Sequence, residues 1–118
     1  MKILLVEDNR DLATNLFDYF EARGHKVGLA YDGISGFNLA STNAYDVLIL
    51  DWMLPQMDGV TICRRLRKEG NHIPILILTA RDSIEDRATG LSAGANEYVI
   101  KPFSMRDVES RLLKLVQH

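Results

Sequence analysis

Residues 47–59 read VLILDWMLPQMDG, and this stretch decides the fold. Four consecutive apolar residues at positions 47–50 predict a strand buried on both faces, as in a parallel sheet. The apolar run stops at Asp51, and Pro55 followed by the Asp58–Gly59 pair predicts a loop before the next helix. The pattern therefore predicts a carboxylate at the end of a buried strand, where open parallel sheets bind their ligands.

On both sides of this stretch, short apolar runs alternate with amphipathic segments. Strands are predicted at residues 3–6, 26–31, 47–50, 75–78 and 98–100. Helices are predicted around residues 12–20, 33–42 and 60–66, from Ser83 to near Gly94, and after Ser104. Ser83 with Asp86, and Ser104 with Asp107, have the spacing of N-terminal helix caps.

Five strand–helix units in alternation predict an α/β fold with helices on both faces of a parallel sheet. Right-handed crossovers leave few topologies for such a chain. We expect a single doubly wound (βα)5 domain over residues 1–118, flavodoxin-like, with strand order 2-1-3-4-5. A fragment of a larger doubly wound sheet is the alternative.

Composition limits the functions that this domain can perform alone. The chain has 118 residues, 47% hydrophobic and 25% charged, with a formal net charge of -2. Such a balance offers no basic surface for nucleic acid or for an anionic membrane, so DNA binding would need another segment. A single cysteine, Cys63, excludes an internal disulfide and favours a reducing compartment, most simply the cytoplasm. No apolar stretch is long enough to predict a membrane span.

Chemistry-bearing residues follow four of the five predicted strands. They are Glu7 and Asp8, Asp51, Thr79 and Lys101. The carboxyl ends of parallel strands share one edge of a sheet, so three carboxylates, a hydroxyl and an ammonium should converge. Clustered carboxylates raise one another's pKa or bind a cation. An all-oxygen site suits Mg²⁺ or Mn²⁺, and it does not suit zinc, which prefers histidine and cysteine.

An aspartate beside a divalent metal can act as a nucleophile toward phosphorus and form an acyl phosphate. Asp51 is the best candidate because it alone ends the central strand. Glu7 and Asp8 form a pair that is better suited to holding the metal. Lys101 and Thr79 could then contact the phosphoryl oxygens.

At these residues the chain resembles the receiver domains of bacterial two-component response regulators. The resemblance rests on ILLVEDN at residues 3–9, LILDWMLPQMDG at 48–59, ILTARD at 77–82 and GANEYVIKPF at 94–103. It implies that Asp51 is the phosphoacceptor and that Glu7, Asp8 and Asp51 hold Mg²⁺ together with the backbone carbonyl of Met53. It also implies that Thr79 is the switch hydroxyl, Tyr98 the switch aromatic and Lys101 the phosphate-facing lysine, with a cis Lys101–Pro102 peptide bond.

The residues after the fourth and fifth strands resemble the OmpR/PhoB subfamily most. That subfamily implies a C-terminal winged-helix DNA-binding output domain, and a homodimer through helix four, strand five and helix five. Arg87 with Asp107, and Glu97 with Arg111, stand where the subfamily places intersubunit ion pairs. The chain departs from the pattern at Asn96–Glu97, where the family usually has two aspartates, so that one interface charge is missing.

The resemblance implies a switch rather than an enzyme. A phosphohistidine on a sensor histidine kinase would donate to Asp51, and Thr79 would move inward. Tyr98 would then turn from an exposed to a buried position, which would change the surface offered to partners and so control transcription. The alternatives are a stand-alone receiver that relays phosphate or binds another protein, a metal-dependent phosphohydrolase, and a flavin-binding module. The bulky Trp52 beside Asp51 is a further departure.

The remaining chemistry-bearing residues have simpler interpretations. His25, His72 and His118 have no partners at metal-ligand spacing, so we expect them at the surface. Cys63 is expected to be a buried core thiol. The basic run at residues 64–68 is expected to be a solvated helix face.

Overall fold

A computed structural model describes residues 1–117 of the chain. Five strands and five helices alternate along it. The strands are β1 (Lys2–Val6), β2 (Lys26–Ala30), β3 (Val47–Leu50), β4 (Ile75–Thr79) and β5 (Glu97–Ile100). The helices are α1 (Arg10–Ala22), α2 (Gly33–Thr42), α3 (Gly59–Lys68), α4 (Ile84–Ala93) and α5 (Met105–Val116).

The strands form one parallel sheet in the order β2-β1-β3-β4-β5, which confirms the predicted topology. Strand order reverses between β1 and β3, where Val6 pairs with Leu50. The residues that follow this pair, Glu7 and Asp51, therefore emerge side by side at the carboxyl edge. None of the helices within residues 1–117 is long and apolar enough to cross a membrane.

Alternate residues of each strand point to opposite faces, so the sheet supports two separate cores. Strand residues such as Leu5 and Ile49 pack against α1 and α5 on one face. Their neighbours Leu4 and Leu50 pack against α2, α3 and α4 on the other. Because both faces are covered, the central strands are continuous apolar runs rather than alternating ones.

Side-chain caps begin all five helices. The side chains of Ser83 and Ser104 accept hydrogen bonds from the backbone N–H groups of Asp86 and Asp107, which confirms the two predicted caps. Asp58 caps α3 in the same way, by accepting from the N–H of Thr61. Each cap satisfies one backbone donor that a helix start would otherwise leave unpaired.

The surface expectations fail at His25 and at Arg67, whereas the other basic residues of the run 64–68 are exposed as predicted. The His25 side chain is only 13% exposed, because it lies between the N-terminal amine and the buried Glu109 carboxylate. Arg67, within the basic run, bends inward and donates to the carbonyls of Gly94 and Ile73. Long cationic side chains can bury their stems where backbone acceptors are available, and charge pattern alone does not reveal this.

The remaining simple expectations have mixed outcomes. Cys63 is fully buried as predicted, and burial raises the pKa of its thiol to about 12. His72 is exposed as predicted. The expectation for His118 lies outside the residues that the structure describes.

The adjacent leucines of α5 provide a matched test of this packing. Leu112 is fully buried against the sheet, whereas Leu113 is 46% exposed. We expect Leu112→Ala to lower the free energy of unfolding by about 2–5 kcal/mol, because it leaves a cavity as well as losing apolar burial. Leu113→Ala should change it by less than about 1 kcal/mol. Urea unfolding of both variants measures the difference, and equal losses would contradict the described orientation of α5.

Candidate functional site

The predicted site residues converge because the sheet brings the ends of β1 and β3 together. The backbone N–H of Asp51 donates to the carbonyl of Val6 at 3.0 Å, which continues the ladder one residue past the strand. On the other side of β1, the N–H of Glu7 donates to the carbonyl of Ala30, at the end of β2, at 3.0 Å. Both acidic residues therefore leave the sheet from a fixed backbone.

Three carboxylates form the centre of the site. Carboxylate oxygens of Glu7, Asp8 and Asp51 lie within 4.8 Å of one another. Glu7 and Asp51 are buried, with 2% and 6% of their surface exposed, while Asp8 faces solvent. The backbone N–H of Asn9 donates to Glu7 at 3.1 Å and helps to orient that carboxylate.

Lys101 supplies the positive charge at this centre. Its ammonium donates to Glu7 Oε1 at 2.9 Å and to Asp51 Oδ2 at 3.0 Å, so it bridges two of the three acids. Burial lowers the pKa of Lys101, but the hydrogen bonds to Glu7 and Asp51 outweigh it and the pKa lies above its ordinary value. The following Lys101–Pro102 peptide bond is cis, as predicted.

Burial dominates the ionisation of Glu7. It raises the pKa of Glu7 from 4.5 to about 7, against the opposing hydrogen bonds from Lys101 and Asn9. The nearby Asp51 carboxylate acts in the same direction as burial. An additional cation would favour the charged form of Glu7.

The donor set fits a hard divalent cation. Glu7, Asp8 and Asp51 offer only oxygen, and Asp8 opens toward water, which suits Mg²⁺ or Mn²⁺. Within residues 1–117, no other cluster of acids, histidines and cysteines has this spacing. The N–H of Met53 donates to Asp51 Oδ1 at 3.2 Å, which places Met53 beside the acids. A metal contact by the Met53 carbonyl remains a prediction.

Thr79 ends β4 at the same edge and is fully buried. Its hydroxyl accepts from the N–H of Arg81 at 3.2 Å. Its carbonyl accepts from the N–H of Lys101 at 2.8 Å, so it lies next to the lysine along the sheet. The structure thus brings Thr79 to the site by way of strand pairing.

Tyr98 lies on β5, where it pairs with Ile77 of β4, and it is buried, with 2% of its surface exposed. Its hydroxyl donates to the carbonyl of Arg81 at 2.8 Å. Burial raises the pKa of this phenol. The exposed starting position expected for Tyr98 is not the one that the structure shows.

The residues expected at a dimer interface divide into two groups. Arg111 bonds to Glu97 at 2.6 Å and to Asp107 at 3.0 Å within the same chain. Arg87 is exposed and lies 3.5 Å from the carbonyl of Tyr98. Glu97 and Arg111, which were expected in a pair between subunits, are therefore paired within one chain, and Arg87 is exposed on α4.

Sequence reasoning missed the part that Arg81 plays near the site. Its guanidinium lies 4.4 Å from the centroid of the Trp52 ring and bonds to Asp86 at 2.8 Å. The Trp52 ring in turn packs edge-on against Tyr98. A tryptophan directly after the strand-ending aspartate was the available signal, but sequence alone does not show what its ring contacts.

A second missed group lies at the opposite edge of the sheet. Glu109, on α5, is buried and accepts from Tyr19, Arg23 and His25. Its place one residue after the core position Val108 was a usable signal, because that position adjoins the apolar face of the helix. This group connects α1 to α5 and lies away from the acidic cluster.

Comparisons with known proteins identify the family to which the chain is similar. The family model described as "Response regulator receiver domain" matches residues 3–113. Response regulator MprA of Mycobacterium avium (strain 104) is 40% identical over 117 residues, which are 99% of this chain and 51% of that protein. The chain thus spans about half the length of the curated relatives it matches.

Solved structures show the same fold. The receiver domain of Francisella response regulator 1452 has a TM-score of 0.95 and 36% identity, covering 98% of this chain and 96% of that one. The receiver domain of a sensor histidine kinase from Pseudomonas aeruginosa PAO1, with a magnesium ion in its active-site cleft, has a TM-score of 0.90 and 34% identity, covering 99% and 98%. This chain belongs to the response regulator receiver domain family.

Proposed function

We propose that this domain is a phosphorylation switch in which Asp51 accepts a phosphoryl group. The observation that carries the proposal is the bridged acidic centre, in which Lys101 bonds to both Glu7 and Asp51 while Asp8 lies open to solvent. Three carboxylates with one bound ammonium retain an excess of negative charge at a largely buried edge. A divalent cation would offset that excess.

Asp51 is the proposed nucleophile because both of its oxygens are already oriented. Oδ2 accepts from Lys101 and Oδ1 from the N–H of Met53. In the transfer, a carboxylate oxygen of Asp51 forms a bond to phosphorus as the bond between phosphorus and the donor's histidine nitrogen breaks. The imidazole leaves with that electron pair, and Asp51 becomes an acyl phosphate.

Glu7, Asp8 and Asp51 would hold the magnesium ion, and the predicted fourth protein ligand is the carbonyl of Met53. When bound, the ion supplies positive charge that stabilises the phosphoryl oxygens during transfer. The chain itself contributes Lys101, whose ammonium can move from the carboxylates to a phosphoryl oxygen. The Thr79 hydroxyl is available to donate to another oxygen, since its present contact with Arg81 uses it as an acceptor.

The proposed donor is the phosphohistidine of a sensor histidine kinase, and the proposed setting is the cytoplasm, which suits a chain with one buried cysteine. We assign the chain a switching role rather than an enzymatic one. In this role the chain itself accepts the phosphoryl group and loses it again, and it converts no separate substrate. The similar regulators are about twice as long. This supports a receiver that controls an attached output domain, proposed to bind DNA and regulate transcription.

A second candidate is a receiver that relays phosphate or binds another protein. The similarity to a receiver domain of a sensor histidine kinase supports this second candidate. The reading frame that contains this chain distinguishes the two, because only the first candidate requires a DNA-binding segment. Neither the phosphohydrolase nor the flavin-binding alternative gains comparable support, since the family match covers residues 3–113.

We propose a homodimer through α4, β5 and α5 as the phosphorylated form. Arg87 is exposed on α4, and Asp107 is exposed near the start of α5. The proposed intersubunit pair joins these two residues. Arg111 and Glu97, already paired within the chain, would flank it.

The first prediction concerns the acceptor. Asp51→Asn should abolish the mass increase of one phosphoryl group that acetyl phosphate and Mg²⁺ produce in the wild type, because an amide oxygen is a poor nucleophile. Asp58→Asn is the matched control: it changes a nearby exposed aspartate, and asparagine also caps a helix. Intact mass spectrometry measures both variants. Equal modification of Asp51→Asn and wild type would remove Asp51 from its role.

The second prediction concerns Glu7 in the presence of a chelator. Because the pKa of Glu7 is about 7 in the fold against 4.5 for the free side chain, the folded state binds this proton more tightly. Proton binding by Glu7 contributes its full stabilisation of the fold below the pKa of the unfolded chain. That contribution is lost as the pH rises through about 7. The free energy of unfolding of Glu7→Gln should therefore rise relative to that of the wild type between about pH 5 and pH 8, by up to roughly 3 kcal/mol.

Urea unfolding at a series of pH values measures this gain. Glu85→Gln, at an exposed glutamate in the first turn of α4, is the control and should parallel the wild type. Parallel curves for Glu7→Gln as well would show that Glu7 does not carry the pH dependence.

The third prediction concerns assembly. Arg87→Gln should weaken dimerisation of the beryllofluoride-treated protein by roughly three- to tenfold, since about 1.4 kcal/mol corresponds to tenfold. Arg64→Gln, at an exposed arginine on α3, should leave it unchanged. Sedimentation velocity gives the dissociation constants. Unaltered assembly of Arg87→Gln would place the interface elsewhere.

A further inference from the structure

The β3–α3 loop, residues 51–58, starts at the proposed phosphoacceptor and ends where α3 begins. Its first part is tied to the site, because the N–H of Met53 donates to Asp51 Oδ1 at 3.2 Å. Its last part returns to the same place, because the N–H of Gly59 donates to the Trp52 carbonyl at 2.8 Å. One of the two Asp51 carboxylate oxygens is thus oriented by the loop itself, so the position of the loop affects the acidic centre.

The middle of this loop contains a strained turn. The N–H of Met57 donates to the Pro55 carbonyl at 2.9 Å, and Gln56 between them has a φ of 73°. A hydrogen bond between residues two apart, around a residue with this φ, is typical of the rarer and strained form of the γ-turn. Residues other than glycine rarely adopt such a backbone, and the conformation persists where neighbouring structure stabilises it.

Gly33, the first residue of α2, contacts this turn directly through its backbone. Its N–H donates to the same Pro55 carbonyl at 3.0 Å. A Cβ atom on Gly33 would overlap the Met57 carbonyl oxygen and would lie 2.6 Å from the Met57 carbonyl carbon. Because these are backbone atoms, they cannot turn aside as the end of a flexible side chain can. Any side chain at position 33 would therefore push the turn away from α2.

The start of α2 is a fixed support for the turn. The Asp32 carboxylate accepts from the N–H of Ser35 at 2.7 Å and from its hydroxyl at 2.9 Å, which caps the helix. A Cβ atom on Gly36 would lie 2.7 Å from the Val6 side chain, so α2 lies directly on β1. Since α2 is held by its cap and by β1, the loop is the part that a larger residue at position 33 would displace.

We propose that Gly33 is a positioning residue for the acidic centre. Its backbone contact with the turn at residues 55–57 sets the path of the β3–α3 loop and, through Met53, the orientation of the Asp51 carboxylate. This inference rests on the proposed function, because it names what arranges the same site for a divalent cation. Gly33 has no side chain to bind anything, and it acts on the site only through the loop that it supports.

Binding of Mn²⁺ to the whole chain tests the inference, with the free ion measured by electron paramagnetic resonance. Gly33→Ala should raise the dissociation constant for Mn²⁺ roughly tenfold, because groups that orient metal ligands affect metal affinity by about this much. A second measurement needs no metal. With a chelator present, the amide hydrogen of Gly59, which bonds to Trp52 in the same loop, should exchange several-fold faster in this variant.

Gly28→Ala is the matched control for crowding at a glycine. A Cβ atom on Gly28 would overlap the Tyr45 hydroxyl and would lie 3.0 Å from the ring carbon that carries it. Gly28 pairs with Leu4, within the sheet rather than at its carboxyl edge. This variant should unfold at a lower urea concentration than the wild type, while its Mn²⁺ affinity and its exchange at Gly59 stay at the wild-type values.

A second pair of variants breaks the same contact from the side of the loop and decides the question if Gly33→Ala does not fold. Gln56→Pro should weaken Mn²⁺ binding as Gly33→Ala does, because proline fixes φ near about -65° and excludes the turn. Gln56→Gly is its control and should bind Mn²⁺ as the wild type does, since glycine adopts positive φ readily. Circular dichroism establishes which variants are folded.

Two results would overturn the inference: wild-type Mn²⁺ affinity in the folded Gly33→Ala or Gln56→Pro protein, or an equal loss of affinity in Gly28→Ala. Failure of the proposed function has a separate signature, because it appears in the wild type itself. There it would be seen as absent Mn²⁺ binding or as no mass increase with acetyl phosphate, and the exchange at Gly59 would still decide whether Gly33 holds the loop.

Discussion

The site depends on the bridging of two buried carboxylates by one ammonium. Glu7 and Asp51 leave adjacent parallel strands, so the topology forces like charges together at an edge with little solvent. Burial disfavours both charges, and their mutual repulsion adds to the cost. Lys101 reduces this cost because β5 ends at the same edge and its side chain reaches both acids. The strand order that brings the two acids together therefore also places the lysine that offsets their charge.

Much of this arrangement could be predicted from the sequence. The apolar runs of β1, β3 and β4 are long enough to identify buried parallel strands, and each is followed at once by a polar residue of the site. Because parallel strands share their carboxyl edge, Glu7 and Asp51 could be placed together without coordinates. Helix caps at Ser83 and Ser104 were equally predictable, since they depend on contacts three residues apart.

Contacts between distant segments could not be predicted in the same way. His25 reaches Glu109, 84 residues along the chain, and nothing near His25 indicates that partner. The buried position of Tyr98 is a similar case, because it follows from the packing of Trp52 and Gly90 around one ring. Local pattern identifies which residues face a core, but tertiary packing decides which of their allowed positions they occupy.

Asn96 illustrates how the amino edge of the sheet differs from the carboxyl edge. Its amide oxygen accepts from the N–H of Ile75 at 2.8 Å and from Arg67 at 3.0 Å, and Arg67 also bonds to the Gly94 carbonyl. The amide oxygen of Asn96 therefore joins the starts of β4 and β5 to the end of α3. A neutral amide is sufficient for that internal task. The starts of β4 and β5 are therefore held to α3 by side-chain hydrogen bonds that involve none of the acidic residues at the opposite edge of the sheet.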